Sequence, residues 1–292
     1  MIGFTTIKRV LLATASLGFA AHAAAANLTL DVYNPGTQAI FPVTSVLVSG
    51  EKDAILVDAQ FGKSQAEQVV EKIRASGKHL TTIYISHGDP DYYFGLDTLT
   101  KAFPDAKVLA SQPTVDHINK TVEGKLAFWG PKMGADVPAK TIVPGVLKGD
   151  SLMLEGQKLQ VIGLDGKQPD RSFVWIPSLK AVVGGVVVAE NIHVWMADTQ
   201  TAQSHADWLA TLQSIETLNP KTVVPGHYLG ESSRSLASVK FTADYIKAFD
   251  AETAKAKDAA ALIAAMKKRY PTLGEESSLE LSAKVAKGEM QW

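Results

Sequence analysis

The segment Ile83-Tyr84-Ile85-Ser86-His87-Gly88-Asp89-Pro90-Asp91-Tyr92-Tyr93-Phe94-Gly95 holds the strongest chemical candidates in the chain. An apolar, β-prone run ends there in one histidine and two carboxylates at alternate positions. Side chains mounted at a strand end are held by a rigid backbone, which suits a ligand or a catalyst. His87, Asp89 and Asp91 could converge on one divalent cation across a tight turn, and Gly88 and Pro90 favour such a turn. The plainer alternative is a loop capped by Asp89 or Asp91 with His87 on the surface, because short motifs match by chance.

A second β-prone run, Lys221-Thr222-Val223-Val224-Pro225-Gly226-His227, also ends in a histidine beside a glycine. Earlier, Val46-Leu47-Val48-Ser49-Gly50 and Ala54-Ile55-Leu56-Val57-Asp58-Ala59 read as a hairpin whose second strand ends in aspartate. Taken together, these segments resemble the metallo-β-lactamase fold superfamily, whose metal motif His-x-His-x-Asp-His follows a strand. His87 matches the first histidine of that motif and Asp91 its aspartate, while Asp89 and Tyr92 stand at the other two histidines. Gly226-His227 resembles the pair that supplies the family's last histidine ligand. The resemblance runs over roughly residues 28 to 230. It implies an α/β fold, a four-layer αββα sandwich, here with a helical C-terminal extension.

Two further ligand positions depart from the family. Leu164, in Gly163-Leu164-Asp165-Gly166, stands where a histidine is usual, and Asp165 beside it could substitute. Gly185 stands at the bridging aspartate. The resemblance therefore implies an atypical, mononuclear site drawn from His87, Asp89, Asp91, Asp165 and His227. Zinc is the family's usual ion, but its flavodiiron branch carries a carboxylate at the position of Asp89 and binds iron. A harder, more anionic donor set makes iron or manganese the alternatives.

The activity implied is attack of a metal-bound water on an ester, lactone, thioester or amide. Asp91 would add a ligand or a general base, and the Tyr92 phenol a donor to the oxyanion or a ligand to iron. His193 is a replacement ligand, a general acid, or a loop histidine packed on Trp195. Asp198 reads as a helix cap, and His117 as part of a surface helix. Tyr92, Tyr93, Phe128, Trp129 and Trp195 read either as a pocket mouth or as ordinary core and loop aromatics. Leu164 and Gly185 also motivate a reading of another class, a metal-depleted, non-catalytic binding protein on the same fold.

Composition narrows the partners. A net charge of −1 over 292 residues offers no basic footprint for nucleic acid, and the small-molecule substrate expected is what the resemblance implies. With no cysteine, thiolate ligands, disulfides and cysteine nucleophiles drop out. Lys8 and Arg9 precede an apolar stretch from Val10 to Ala21 and then an alanine-rich run, the pattern of a secretory signal over residues 1–26. That stretch is too short for a membrane span, which needs about 20 apolar residues. No stable membrane anchor is expected after cleavage, and the location expected is periplasmic or secreted.

The positioning elements follow from periodicity. Strands are expected at 28–33, 39–48, 54–58, 81–86, 107–110, 151–154, 158–162, 172–175, 181–188 and 222–224. Helices are expected at 64–76, 91–103, 112–128 and 203–218, with an irregular loop over 129–149. The domain would span 27–232, and the helical extension 233–292 would pack on it through Leu262, Ile263 and Met266.

Overall fold

A computed structural model describes residues 1–2 and 27–292. Nearly all of the segment read as an export signal thus lies outside the described residues. Two mixed sheets stack face to face. The first has the order β1 (Thr29–Tyr33), β2 (Ser45–Ser49), β3 (Asp53–Val57), β4 (His79–Ile85), β5 (Lys107–Ala110) and β6 (Gly145–Val146). The second is built from β7 (Ser151–Leu154), β8 (Gln157–Ile162), β9 (Phe173–Ile176), β10 (Ala181–Val183) and β12 (Thr222–Val223), with β12 at one edge and β7 at the other. A short parallel pair, β11 (Ala189–Glu190) and β13 (His227–Tyr228), sits beside it.

The period-two alternation of strands explains the four layers. Leu47, Leu56, Ile83 and Ile85 face outward into a core shared with α1 (Lys63–Ser76), α3 (Leu96–Ala102) and α4 (Gln112–Met133). Their neighbours Val46, Val48, Ile55, Val57 and Tyr84 face inward, against Leu159, Val161, Val174, Ile176, Ala181 and Val183 of the second sheet. On the far side, Phe173 and Val182 meet α5 (Ala202–Thr217), α6 (Leu236–Lys255), α7 (Ala259–Arg269) and α8 (Glu276–Ala286). Each fully buried aliphatic side chain contributes about 1.5–3 kcal/mol. The expected αββα sandwich with a helical C-terminal region is therefore present, and Leu262 and Met266 are fully buried in it.

Four element boundaries differ from expectation. The strand expected from 39 starts only at Ser45. Before it, Phe41 and Pro42 leave the sheet and line a cleft. The apolar run 181–188 breaks after Val183, because Gly184 and Gly185 take φ values of 68° and 82° that a strand cannot contain. The helix expected over 91–103 divides into α2 (Pro90–Tyr93) and α3 at Gly95. Finally, α4 continues to Met133, five residues into the region expected to be irregular.

Candidate functional site

The site begins with a buried knot at the ends of β3 and β4. Asp58 is fully buried and accepts hydrogen bonds from Ser86 N (2.8 Å) and Ser86 Oγ (2.8 and 2.7 Å). Ser86 Oγ in turn accepts from Gly185 N at 2.7 Å, which ties the two sheets together. Burial pushes the Asp58 carboxyl up to about 7, with the Ser86 hydrogen bonds only partly opposing it. This knot fixes the backbone that presents His87.

His87 is buried, and its Nδ1 lies 3.0 Å from the Asp170 carbonyl, which can only accept, so Nδ1 carries the hydrogen. Its Nε2 faces Asp89 Oδ2 at 3.1 Å. Burial lowers the proton affinity of the ring, but the Asp89 charge and the two hydrogen bonds outweigh it and raise the pKa. Asp89 behaves oppositely. Burial favours its neutral form, yet His87, His117 and Lys125 hold it well below the ordinary carboxylate range.

Asp91 sits in the first turn of α2 and pairs with His227, Oδ2 to Nε2 at 3.2 Å. The backbone of His227 is clamped on both sides, by parallel pairing with Ala189 and by an antiparallel bridge to Val43. Between the two histidine–carboxylate pairs stands the ring of Tyr92, edge-on to His87 (centroids 5.2 Å apart) and to His227 (5.5 Å). Tyr92 is fully buried, and its hydroxyl has no hydrogen-bond partner. Burial, then the charges of Asp91, Asp58 and Asp89, push the phenol well above its usual value, so it remains a donor.

These groups open onto one aromatic-walled cleft. Asp89, Asp91, Tyr92, Lys125 and His227 face it, and its walls are Phe41, Trp129, Trp195, Trp208 and Trp292. Asp198 accepts the indole N–H of both Trp195 and Trp292 at 2.6 Å, and so sets one aromatic wall. The α8 region adds Glu275 and Ser278 to the rim.

Several expectations need correction. Asp165 lies in an exposed turn and is not among the residues facing this cleft, because Leu164 turns inward onto the inter-sheet core instead. His193 does line the cleft, but it packs on Tyr245 rather than Trp195, with Nδ1 3.1 Å from the phenol oxygen. Burial takes its pKa down to about 4, so a general-acid role leaves it no proton to give near neutrality. Asp198 caps no helix: α5 is capped by Thr201 in a reciprocal box with Ser204. Of the aromatics, Trp129 and Trp195 join Tyr92 at the cleft, whereas Tyr93 and Phe128 do not. His117 and Lys125, both on α4, reach Asp89 Oδ1 at 3.8 and 3.2 Å. Nothing local marks them in sequence: His117 reads as part of a surface helix, and Lys125 precedes the apolar run Leu126-Ala127-Phe128-Trp129 with no carboxylate signalled for it.

The residues present do not fit the family's metal centre. Among the described residues, no three His, Asp or Glu side chains form a group able to hold an ion. His87–Asp89 and His227–Asp91 are two separate pairs with the Tyr92 ring between them. Leu164 offers no donor. At Gly185 even a Cβ would lie 2.3 Å from the Ser172 carbonyl oxygen, so no ligating side chain fits there.

The sequence model of the metallo-beta-lactamase superfamily matches residues 39–227. Members of that superfamily generally bind divalent metals, often zinc. The chain is 36% identical over 74 residues to "Uncharacterized protein YobT" of Bacillus subtilis (strain 168), 25% of this chain and 31% of that protein. It is 22% identical over 200 residues to "Beta-lactamase-like protein 2 homolog" of Caenorhabditis elegans, 67% of this chain and 59% of that one. It thus spans about a third and under two thirds of the lengths of these curated relatives. Among solved structures, a metallo-beta-lactamase family protein from Thermus thermophilus aligns with TM-score 0.60 at 16% identity, over 89% of this chain and 94% of that one. A metallo-beta-lactamase from Pontibacter korlensis aligns with TM-score 0.55 at 19% identity, over 75% and 93%. At such identities the structures speak for the fold alone. The family match, which covers more than half of the chain and every strand of the two large sheets except β1, makes this protein a member of the metallo-β-lactamase superfamily.

Proposed function

We propose that the chain is a hydrolase of a small molecule with an apolar body and an ester, lactone, thioester or amide bond. In this reading His227, oriented by Asp91, takes a proton from water as that water attacks the acyl carbon. The Tyr92 hydroxyl donates to the oxygen on which charge develops. Collapse of the adduct breaks the bond to the leaving group, which recovers the proton from His227. The aromatic walls exclude water and hold the apolar part of the substrate. The carrying observation is that one cleft presents the His227–Asp91 pair together with a buried, partner-free phenol.

The donor set does not favour the zinc-, iron- or manganese-dependent form of the reaction implied by the resemblance, so no step is routed through an ion. Export to the periplasm or beyond is also part of the proposal, and it rests on the N-terminal sequence pattern alone.

The test is a panel of chromogenic esters, lactones, thioesters and anilides with the mature protein and His227→Ala. Turnover reduced by about 10²–10⁴-fold in the variant is expected. Saturable binding without turnover across the panel would instead select the non-catalytic reading, which the donor-free Leu164 and Gly185 favour.

A further inference from the structure

We infer that Trp292 sets the size of the apolar group that the cleft accepts, as the tip of a C-terminal segment lying outside the superfamily match. This role rests on the cleft being the substrate site of the proposed acyl hydrolysis.

The match ends at residue 227, yet Glu275, Ser278 and Trp292 line the cleft from beyond it. The segment that carries them is fastened along residues 191–198, which supply His193, Trp195 and Asp198 to the same cleft. His193 N donates to the Gly274 carbonyl at 2.8 Å, and Gly274 N to the Asn191 carbonyl at 3.2 Å. Further along, Met196 N donates to Ser282 Oγ at 2.9 Å. The Trp292 indole completes the series by donating to Asp198 Oδ1 at 2.6 Å. One side of the cleft is thus built by pairing residues 191–198 with a segment that the superfamily's sequence pattern does not include.

After α8, Glu289 accepts from Ala259 N at 2.7 Å and Lys287 Nζ donates to the Ala256 carbonyl at 2.6 Å, which anchors the chain at the junction of α6 and α7. From there it crosses to the cleft. The Trp292 ring stands edge-to-face with Trp195 (centroids 5.2 Å apart) and Phe128 (5.3 Å), and the Lys125 ammonium lies 4.7 Å from its centroid. An indole presents a large, rigid apolar surface. Here it limits how far an apolar group extends on this side of the cleft, and it contacts a group that fits. A well-fitted apolar pocket separates substrates differing by one methylene by roughly 10–200-fold. Trp292→Ala removes both the wall and one of the two indole donors to Asp198, whereas Trp292→Phe keeps a smaller ring.

Both variants are compared with wild type on p-nitrophenyl esters graded from acetyl to dodecanoyl. Wild type should show an optimal acyl length. In Trp292→Ala the ratio of kcat/KM for the longest ester to that for the wild-type optimum should rise by about tenfold or more, through KM rather than kcat. Trp292→Phe should lie between the two. A second arm needs no turnover: methyl ketones of the same acyl lengths, which carry the carbonyl without a leaving group, are titrated by calorimetry. Their preferred length should shift in the same direction. If no ester is hydrolysed but the ketone preference shifts, the hydrolytic reading fails and the role of Trp292 stands. A variant with the circular dichroism of wild type and an unshifted length preference in both arms overturns that role. So does a wild type with no length preference among the ketones. Where Trp292→Ala does not fold, Trp292→Phe decides by the same criterion.

Discussion

Asp58→Asn should stabilise the protein increasingly as pH rises. Asp58 is fully buried and receives its hydrogen bonds from Ser86, yet desolvation dominates and moves its carboxyl from 3.8 to about 7. A raised carboxyl pKa means that the folded chain holds a proton which the unfolded chain has already released. Below the unfolded value the two states bind equally. Between the two values stability falls as pH rises, and above about 7 the full cost is present. A gap of about three pH decades corresponds to roughly 4 kcal/mol, of which about 3 kcal/mol accrues between pH 5 and pH 8. Asparagine stays neutral throughout and keeps an oxygen to accept from Ser86 N–H. Urea unfolding of both proteins at several pH values isolates this residue, since other titrating groups are common to the two. The stability difference should grow in favour of Asp58→Asn by about 3 kcal/mol from pH 5 to pH 8. Parallel pH profiles would refute the reasoning, because they would mean that the Asp58 proton is bound equally in both states.

Two other substitutions probe the frame of the site. Gly185→Asp restores in sequence the family's bridging carboxylate, but its Cβ would meet the Ser172 carbonyl at 2.3 Å with φ at 82°. It should cost about 3 kcal/mol in urea unfolding and create no zinc site; a stable variant that binds zinc would contradict the packing argument. Thr201→Ala removes the oxygen that accepts from Ser204 N at 3.0 Å at the start of α5. It should lower stability by about 1 kcal/mol, and an unchanged midpoint in urea would show that the cap adds nothing.

Much of the frame was legible because it is local. Alternation through Val46-Leu47-Val48 and Ile55-Leu56-Val57 identifies strands covered on both faces, and those residues divide between two cores. The strand ending in His87 and the Gly-His at residue 227 were visible for the same reason. What escaped is what depends on distant contacts. His117 reads as part of a surface helix and Lys125 carries no local signal, and only the docking of α4 against the turn after β4 places them beside Asp89. Asp198 reads as a helix cap until Trp292, 94 positions away, supplies a second indole for it. The ring of Tyr92 stands between the pairs His227–Asp91 and His87–Asp89, which do not converge on one point. Sequence names that residue, but not the space its ring takes.

The proposed function is acyl hydrolysis in this cleft through His227 and Asp91 without a resident ion. The most direct measurement is turnover of the best panel substrate by one preparation, before and after dialysis against a strong chelator. Rates equal to within about twofold are expected, with the same dependence on His227 in both samples. A rate that falls to background on chelation and returns on adding zinc, iron or manganese would contradict it.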